Sequence, residues 1–164
     1  EPGSLLAIQD LATRLCRSRS GLRVLITLPK SDAGTIRPVS THADVIIDDL
    51  PDDHPTSVAA FMDHWKPNAC IWAWGKLRPN LILAAAQRHC PLFLIDADSG
   101  GFDGRRDRWM GDLTFDLLSH FSAIFARSDA GFTRLVRLGL SRDHIEMTSA
   151  LQPGGQALPC IDSD

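Results

Sequence analysis

Six short apolar runs, each five to seven residues long, alternate with helical periodicity along the whole chain, and this alternation restricts the fold more than any single motif. The runs are Leu22–Leu28, Asp44–Asp49, Ala69–Trp74, Pro91–Ala97, Ser122–Ala126 and His144–Thr148. Before the first, Leu5, Ile8, Leu11, Ala12 and Leu15 recur at three- and four-residue steps, which predicts an amphipathic helix stopped by Gly21. Val58, Phe61, Met62 and Trp65 mark a second helix, ended by Pro67. Pro79 opens a third that reaches about His89, because proline suits a first helical turn. Leu113, Leu117 and Phe121 mark another. Ser128 is a good N-cap for a last helix carrying Phe132, Leu135 and Val136, with Gly139 at its end. Residues 29–43, rich in Pro, Ser, Thr and Gly, have room for a loop and one short helix. Short strands separated by helices are βαβ units, so the expected class is α/β, a doubly wound parallel sheet spanning residues 1–150. Residues 151–164, rich in Pro and Gly, read as a linker or tail.

In such sheets ligands collect in the crevice outside the carboxyl ends of the strands. That directs attention to the loops Pro29–Gly34, Leu50–Pro55, Trp74–Asn80, Asp96–Gly104 and Arg127–Ala130. Composition excludes several classes of function. Apolar residues make up 44% and charged residues 23%, with a net charge of -3 and scattered basic residues, which does not fit a nucleic-acid binder. The one dense basic spot, Arg105, Arg106 and Arg108, suits a solvated loop better than a phosphate site. Cys16, Cys70, Cys90 and Cys160 show no metal-ligand spacing, and the six histidines are dispersed, so no metal site is expected. Cys70 and Cys90 lie in apolar runs, where a thiol behaves as a small hydrophobe, and a reducing compartment without structural disulfides is the expectation. No run approaches the roughly 20 apolar residues of a membrane span, and no signal peptide is present. The abrupt start at Glu1-Pro2-Gly3-Ser4 suggests a chain cut from something longer.

The local motifs are weak one by one. Leu92-Phe93-Leu94-Ile95-Asp96-Ala97-Asp98-Ser99-Gly100 looks like the nucleophile loop of haloacid-dehalogenase-type phosphatases. That chemistry needs a later lysine to balance the phosphate, and no lysine follows Lys76. As a metal–nucleotide-sugar DxD the same pair is a two-residue signature, and a polar strand-end turn is the plainer reading. Asp48-Asp49 suggests a receiver-type Mg²⁺ pocket, but Arg127-Ser128-Asp129 again offers no lysine. No glycine-rich nucleotide fingerprint occurs, so no cofactor is expected. Trp65 sits on the apolar face of its helix and reads as core, while Trp72 and Trp74 share a strand face with Trp74 nearest the strand end, where it could border a ligand.

Longer stretches point one way. Leu50-Pro51-Asp52-Asp53, Phe61-Met62-Asp63-His64-Trp65-Lys66-Pro67-Asn68 and Leu77-Arg78-Pro79-Asn80-Leu81-Ile82 resemble the N-terminal domain of the Kdo (3-deoxy-D-manno-octulosonic acid) transferases. That family reads approximately LPxDxxxxVxxFLxxWxPDxxxxxExExWPNLL here. The resemblance continues through Pro91–Ala97, where the family has PLxLVNAR, and Phe125–Ala130, where it has AQSxxDAxR. Pro2–Ile8 lines up with its SVGE segment and Thr148–Gln152 with GNLK. The ordered series covers nearly the whole chain.

The resemblance implies a Rossmann-like domain, one half of a two-domain B-type glycosyltransferase. Residues 1–150 would hold the acceptor, a lipid A precursor, and an absent C-terminal domain would bind CMP-Kdo. It implies a parent protein at the cytoplasmic side of the bacterial inner membrane, with a membrane surface as a further partner and a role in lipopolysaccharide biosynthesis. This fragment itself would be soluble and inactive alone. The candidate substrate-binding residues are Gly3, Ser4, Lys76, Pro79, Asn80 and Ser128. The departures matter too. The family's proposed general base, a glutamate, falls on Ser4, and a serine cannot take that proton without a partner base. The glutamate before WPN falls on Lys76, the Trp on Arg78, the Arg of NAR on Asp98 and the Lys of GNLK on Gln152. Basic Lys76 and Arg78 suit either an anionic ligand near the third strand or a solvated helix start. The alternatives are a catalytically degenerate homologue acting as a binding module, and an unrelated flavodoxin-like or phosphatase-like domain.

Overall fold

A computed structural model describes residues 2–29, 40, 42–98, 111–152 and 154. These divide into two compact units, one drawn from Glu1–Leu50 with Leu151–Asp164, the other Pro51–Ala150. In the first unit, helix α1 (Pro2–Ser18) buries Ala7, Ala12 and Cys16; of the residues that the three- and four-residue spacing marks, Ala12 is buried and Leu5, Ile8, Leu11 and Leu15 are half-buried. Gly21, at φ 78°, takes the left-handed turn that lets the chain leave the helix. Strands β1 (Val24–Leu28) and β2 (Val45–Asp49) then pair in parallel, Val24 beside Val45 and Leu28 beside Asp49. Ala12, Cys16, Ile26 and Val45 form the core of this unit, with Leu5, Ile8, Val24, Leu28 and Ile47 around it. The first residues of the expected tail lie against α1, where the Gly154 amide donates to Asp10 Oδ2 at 3.0 Å.

The second unit is a run of βαβ repeats. Helix α2 (Pro55–Trp65) buries Val58 and Met62, and its last turn closes on Lys66, a left-handed residue at φ 45°. Strand β3 (Cys70–Ala73) follows, then helix α3 (Pro79–Gln87), which packs on α2 and buries Leu81, Ile82 and Ala85. Strand β4 (Leu92–Ala97), helix α4 (Gly111–Ser119), strand β5 (Phe121–Ala126), helix α5 (Asp129–Arg137), a 3-10 turn (Arg142–His144) and strand β6 (Ile145–Met147) complete it. The sheet order is β3-β4-β5-β6, every pair parallel, as helical crossovers require. Leu92 and Leu94 of β4, Ile124 of β5, Ile82, Leu118 and Leu135 are among its fully buried side chains.

All six expected strands are present; five are trimmed by one or two residues, and the fifth begins one residue early at Phe121, which the spacing had placed on the preceding helix, itself ending at Ser119. Trp74 falls just past β3, although its amide still donates to Ile95 O at 2.9 Å. Trp65 is half-buried and meets His64 edge-on at 4.9 Å, while Trp72 packs edge-on against Phe121 at 6.4 Å. Cys16, Cys70 and Cys90 are free thiols. Burial pushes the Cys70 thiol up to about 12, with nearby Cys90 adding to the shift, and burial raises Cys90 as well. Arg105, Arg106, Arg108 and Cys160 lie outside the described residues, as do Ser99 and Gly100.

Candidate functional site

In the second unit the carboxyl ends of β3, β4 and β5 carry a set of linked polar side chains. The link begins with a fault in the strand pairing. Leu94 pairs with Ile124 and Ala97 with Ala126, so Ile95 and Asp96 together face the single residue Phe125. The extra residue is a β-bulge, and Asp96 takes the left-handed conformation at φ 60°. Aspartate is one of the few side chains that accept this region, and bulges re-aim the side chains around them. Helix α5 closes on this strand end without clearance. A Cβ on Gly131 would lie 2.8 Å from Ala97 O and 2.9 Å from Asp98 Cα, so only glycine fits.

Two side chains bridge the gap between the strand ends. Arg127 donates from Nε to Asp98 Oδ2 at 2.9 Å, from Nη2 to the same oxygen, and from Nη1 to Asp96 Oδ2 at 3.3 Å. Its side chain is 40% exposed, while the two carboxylates are 21% and 23% exposed, so the guanidinium covers the acids on their solvent side. Ser128 does two jobs with one oxygen. It accepts from the Gly131 amide at 3.1 Å, capping α5 as the sequence predicts, and it donates to Asp98 Oδ1 at 2.6 Å. The Asp96–Asp98 pair therefore serves as a clamp on Arg127 and Ser128, more than the self-bonded polar turn that the DxD spacing suggests. Among the described residues no three His, Cys, Asp or Glu side chains converge as a metal site.

A second lock holds the loop after β3. Helix α3 has no cap from its own N-cap residue, Arg78, whose side chain instead donates from Nη1 to Pro51 O at 2.8 Å. The cap comes from 28 residues upstream, where Asp53 Oδ1 accepts from the Leu81 amide at 3.1 Å. Asn80 Nδ2 returns a bond to Asp53 O at 2.7 Å. The Asp of the LPxD stretch and the Asn of the PN stretch thus form one reciprocal joint, and a carboxylate already occupies the helix terminus where an anion would otherwise be favoured.

The candidate residues from the sequence separate on this geometry. Pro79, Asn80 and Ser128 build the strand-end loops, with the Asn80 amide and the Ser128 hydroxyl committed to protein partners. Lys76 is exposed on the β3–α3 loop. Gly3 and Ser4 lie in the first turn of α1, in the first unit, and their side chains lie outside the described residues. Sequence reasoning missed Asp53 and Arg127. For Asp53 the sequence signs were its place in the LPxD stretch and in a loop at a strand's carboxyl end; for Arg127 the sign was that position alone.

The family described as 3-deoxy-D-manno-octulosonic-acid transferase (kdotransferase) matches residues 2–152. The chain belongs to that family. Among curated proteins, a probable 3-deoxy-D-manno-octulosonic acid transferase, mitochondrial, from Arabidopsis thaliana is 33% identical over 101 residues, which are 62% of this chain and 22% of that protein. The match spans about a fifth of that relative's length. Among solved structures, a UDP-N-acetylglucosamine 2-epimerase from Rickettsia bellii superimposes with a TM-score of 0.57 at 14% identity, covering 92% of this chain and 42% of that one. At that identity the likeness shows a shared Rossmann-like fold and nothing about reaction. Membership of the Kdo transferase family displaces the unrelated flavodoxin-like and phosphatase-like readings.

Proposed function

We propose that residues 1–150 form the acceptor-side domain of a glycosyltransferase that moves Kdo from CMP-Kdo to a lipid A precursor. In this reading residues 151–164 lead toward a donor-binding domain, and the parent protein works at the cytoplasmic face of a bacterial inner membrane, where such a lipid resides. The observation that carries the proposal is the family match over residues 2–152. Loops locked at strand ends support it, because transfer between two bound substrates depends on positioning. Gly3, Ser4 and Lys76, with the loops built by Pro79, Asn80 and Ser128, are the proposed acceptor contacts. Among the described residues no helix is long and apolar enough to cross a membrane.

One observation favours a second reading. Ser4 stands where the family pattern has its proposed general base, and a protein that has lost that group would be a binding module on the same scaffold. The test is transfer by the full-length parent supplied with CMP-Kdo and lipid IVA. Formation of a Kdo-bearing lipid is expected. No transfer by a folded parent that still binds lipid IVA would remove the catalytic reading and leave the binding one.

A further inference from the structure

One loop of the second unit is anchored at both ends and carries a single uncommitted cation between the anchors. The chain leaves β3 at Trp74, whose amide donates to Ile95 O at 2.9 Å, so the start of the β3–α3 loop stays tied to β4. The far end of the loop is held by the lock around Asp53. Asp53 Oδ1 accepts from the Leu81 amide at 3.1 Å, Asn80 Nδ2 donates to Asp53 O at 2.7 Å, and Arg78 Nη1 donates to Pro51 O at 2.8 Å. Helix α2 begins at Pro55, two residues past Asp53, and packs on α3, so the lock is braced from behind. Between Trp74 and Arg78 lie Gly75, Lys76 and Leu77. Of residues 74–80, Lys76 alone is exposed, and it makes no hydrogen bond or ion pair with the described residues. The neighbouring guanidinium of Arg78 is committed to Pro51 O.

We propose that Asp53 is a positioning residue and that it acts through Lys76. The lock fixes where the Lys76 ammonium stands at the carboxyl end of β3, and the ammonium takes an anionic group of the acceptor. Lysine carries three donors and no acceptor, so its partner there is a phosphate or carboxylate oxygen. Its charge rides on a flexible four-carbon stem, and a stem of that kind gains aim from a fixed backbone. A short loop held at both ends also has little freedom left to lose when a ligand binds. Asp53 itself is engaged on both sides, its carboxylate capping α3 and its carbonyl accepting from Asn80. Opening the lock would therefore free the loop without removing the cation.

This role rests on the proposed transferase reading, in which Lys76 is an acceptor contact, and the experiment keeps the two apart. The full-length parent is made as wild type, Asp53→Ala, Asp53→Asn, Lys76→Ala and the double variant Asp53→Ala/Lys76→Ala. Direct binding of lipid IVA, transfer from CMP-Kdo and the thermal midpoint are measured for each. Lys76→Ala is expected to weaken lipid IVA binding about tenfold, the worth of one charged hydrogen bond, with the midpoint unchanged. Asp53→Ala is expected to weaken it about fivefold, seen in transfer as a higher acceptor KM with kcat changed much less. Asp53→Asn should return to within about twofold of wild type, because an amide oxygen accepts the same bond from Leu81. The double variant should bind like Lys76→Ala alone, since a lock that acts through Lys76 has nothing left to position. Losses that multiply in the double variant overturn the role, as does an Asp53→Ala protein with a lowered midpoint and unmoved binding. Lys76→Ala that binds as tightly as wild type overturns it too. If Asp53→Ala does not fold, Arg78→Met opens the same lock at Pro51 O and enters the same cycle with Lys76→Ala. Wild type that binds lipid IVA without transfer rejects the transferase reading alone, because the binding cycle still decides the role of Asp53. Wild type that binds no lipid IVA overturns both.

Discussion

Gly131 is the residue on which the strand-end corner closes. Its missing Cβ lets the first turn of α5 rest on the backbone of Ala97 and Asp98, both too stiff to yield. Gly131→Ala is therefore expected to cost about 1–3 kcal/mol, the range for forcing an extra methyl into a filled site, and to move Ser128 away from Asp98. Chemical denaturation measures it, and an unchanged midpoint would mean that the first turn of α5 does not rest on the β4 end. At the other end of the sheet, Cys70 ties stability to alkaline pH. Its folded pKa is raised to about 12 from an ordinary 9.0. The native protein keeps this proton while the unfolded chain gives it up, so the contribution is whole below pH 9 and falls as pH rises toward 12. A Cys70→Ala variant should show a shallower loss of stability from pH 9 upward than wild type. Coincident curves would count against burial of the thiol. The same shift makes Cys70 a poor nucleophile, in keeping with a thiol used for packing.

Helix α3 illustrates how an element can depend on a residue that no local pattern reveals. Proline at its first position and an apolar face over Leu81, Ile82 and Ala85 make its presence legible from the sequence. Its cap was not legible, because Asp53 lies 28 residues from the amide it receives and only the tertiary fold joins them. Asp53→Ala should cost about 1 kcal/mol, the usual worth of an N-cap, and Asp53→Asn should recover most of it because an amide oxygen accepts the same bond. Equal losses in both variants would point to the charge at the helix terminus instead of the hydrogen bond. The bulge in β4 escaped sequence reading for a related reason. Leu92-Phe93-Leu94-Ile95-Asp96-Ala97 has the composition of an unbroken buried strand, and one inserted residue leaves the apolar pattern almost untouched. Arg127 was hidden twice over, since its partners sit on another strand and become its neighbours only through that bulge. What was readable were the features with a local period or a local cap, the six strands and Ser128. What was unreadable were the polar side chains that use those elements as supports.

At the scale of the whole chain, burial among the described residues is unevenly shared between the two units. The second unit holds large fully buried side chains, Leu92, Leu94, Ile124, Leu135, Leu118, Ile82 and Val58, on a four-stranded sheet. The core of the first unit consists of Ala12, Cys16, Ile26 and Val45 on a two-stranded sheet covered by α1. Buried apolar area scales with stabilisation at roughly 25 cal/mol per Å², and two strands alone are marginal. Opening of the first unit should therefore cost less than global unfolding, as proteins open in units of unequal stability. Native-state hydrogen exchange on the full-length protein tests this. Amides of β4 and β5 are expected to exchange only through global unfolding, with β1 and β2 exchanging faster by about tenfold or more, since 1.4 kcal/mol of difference is enough for that factor. Equal protection in β1, β2, β4 and β5 would show one cooperative body and defeat the prediction. A softer first unit would bear directly on the proposed acceptor contacts, because Gly3 and Ser4 belong to it and Lys76, Asn80 and Ser128 do not. Contact of the acceptor with Gly3 and Ser4 should then slow exchange in β1 and β2, and lipid IVA added to the same experiment would reveal that slowing.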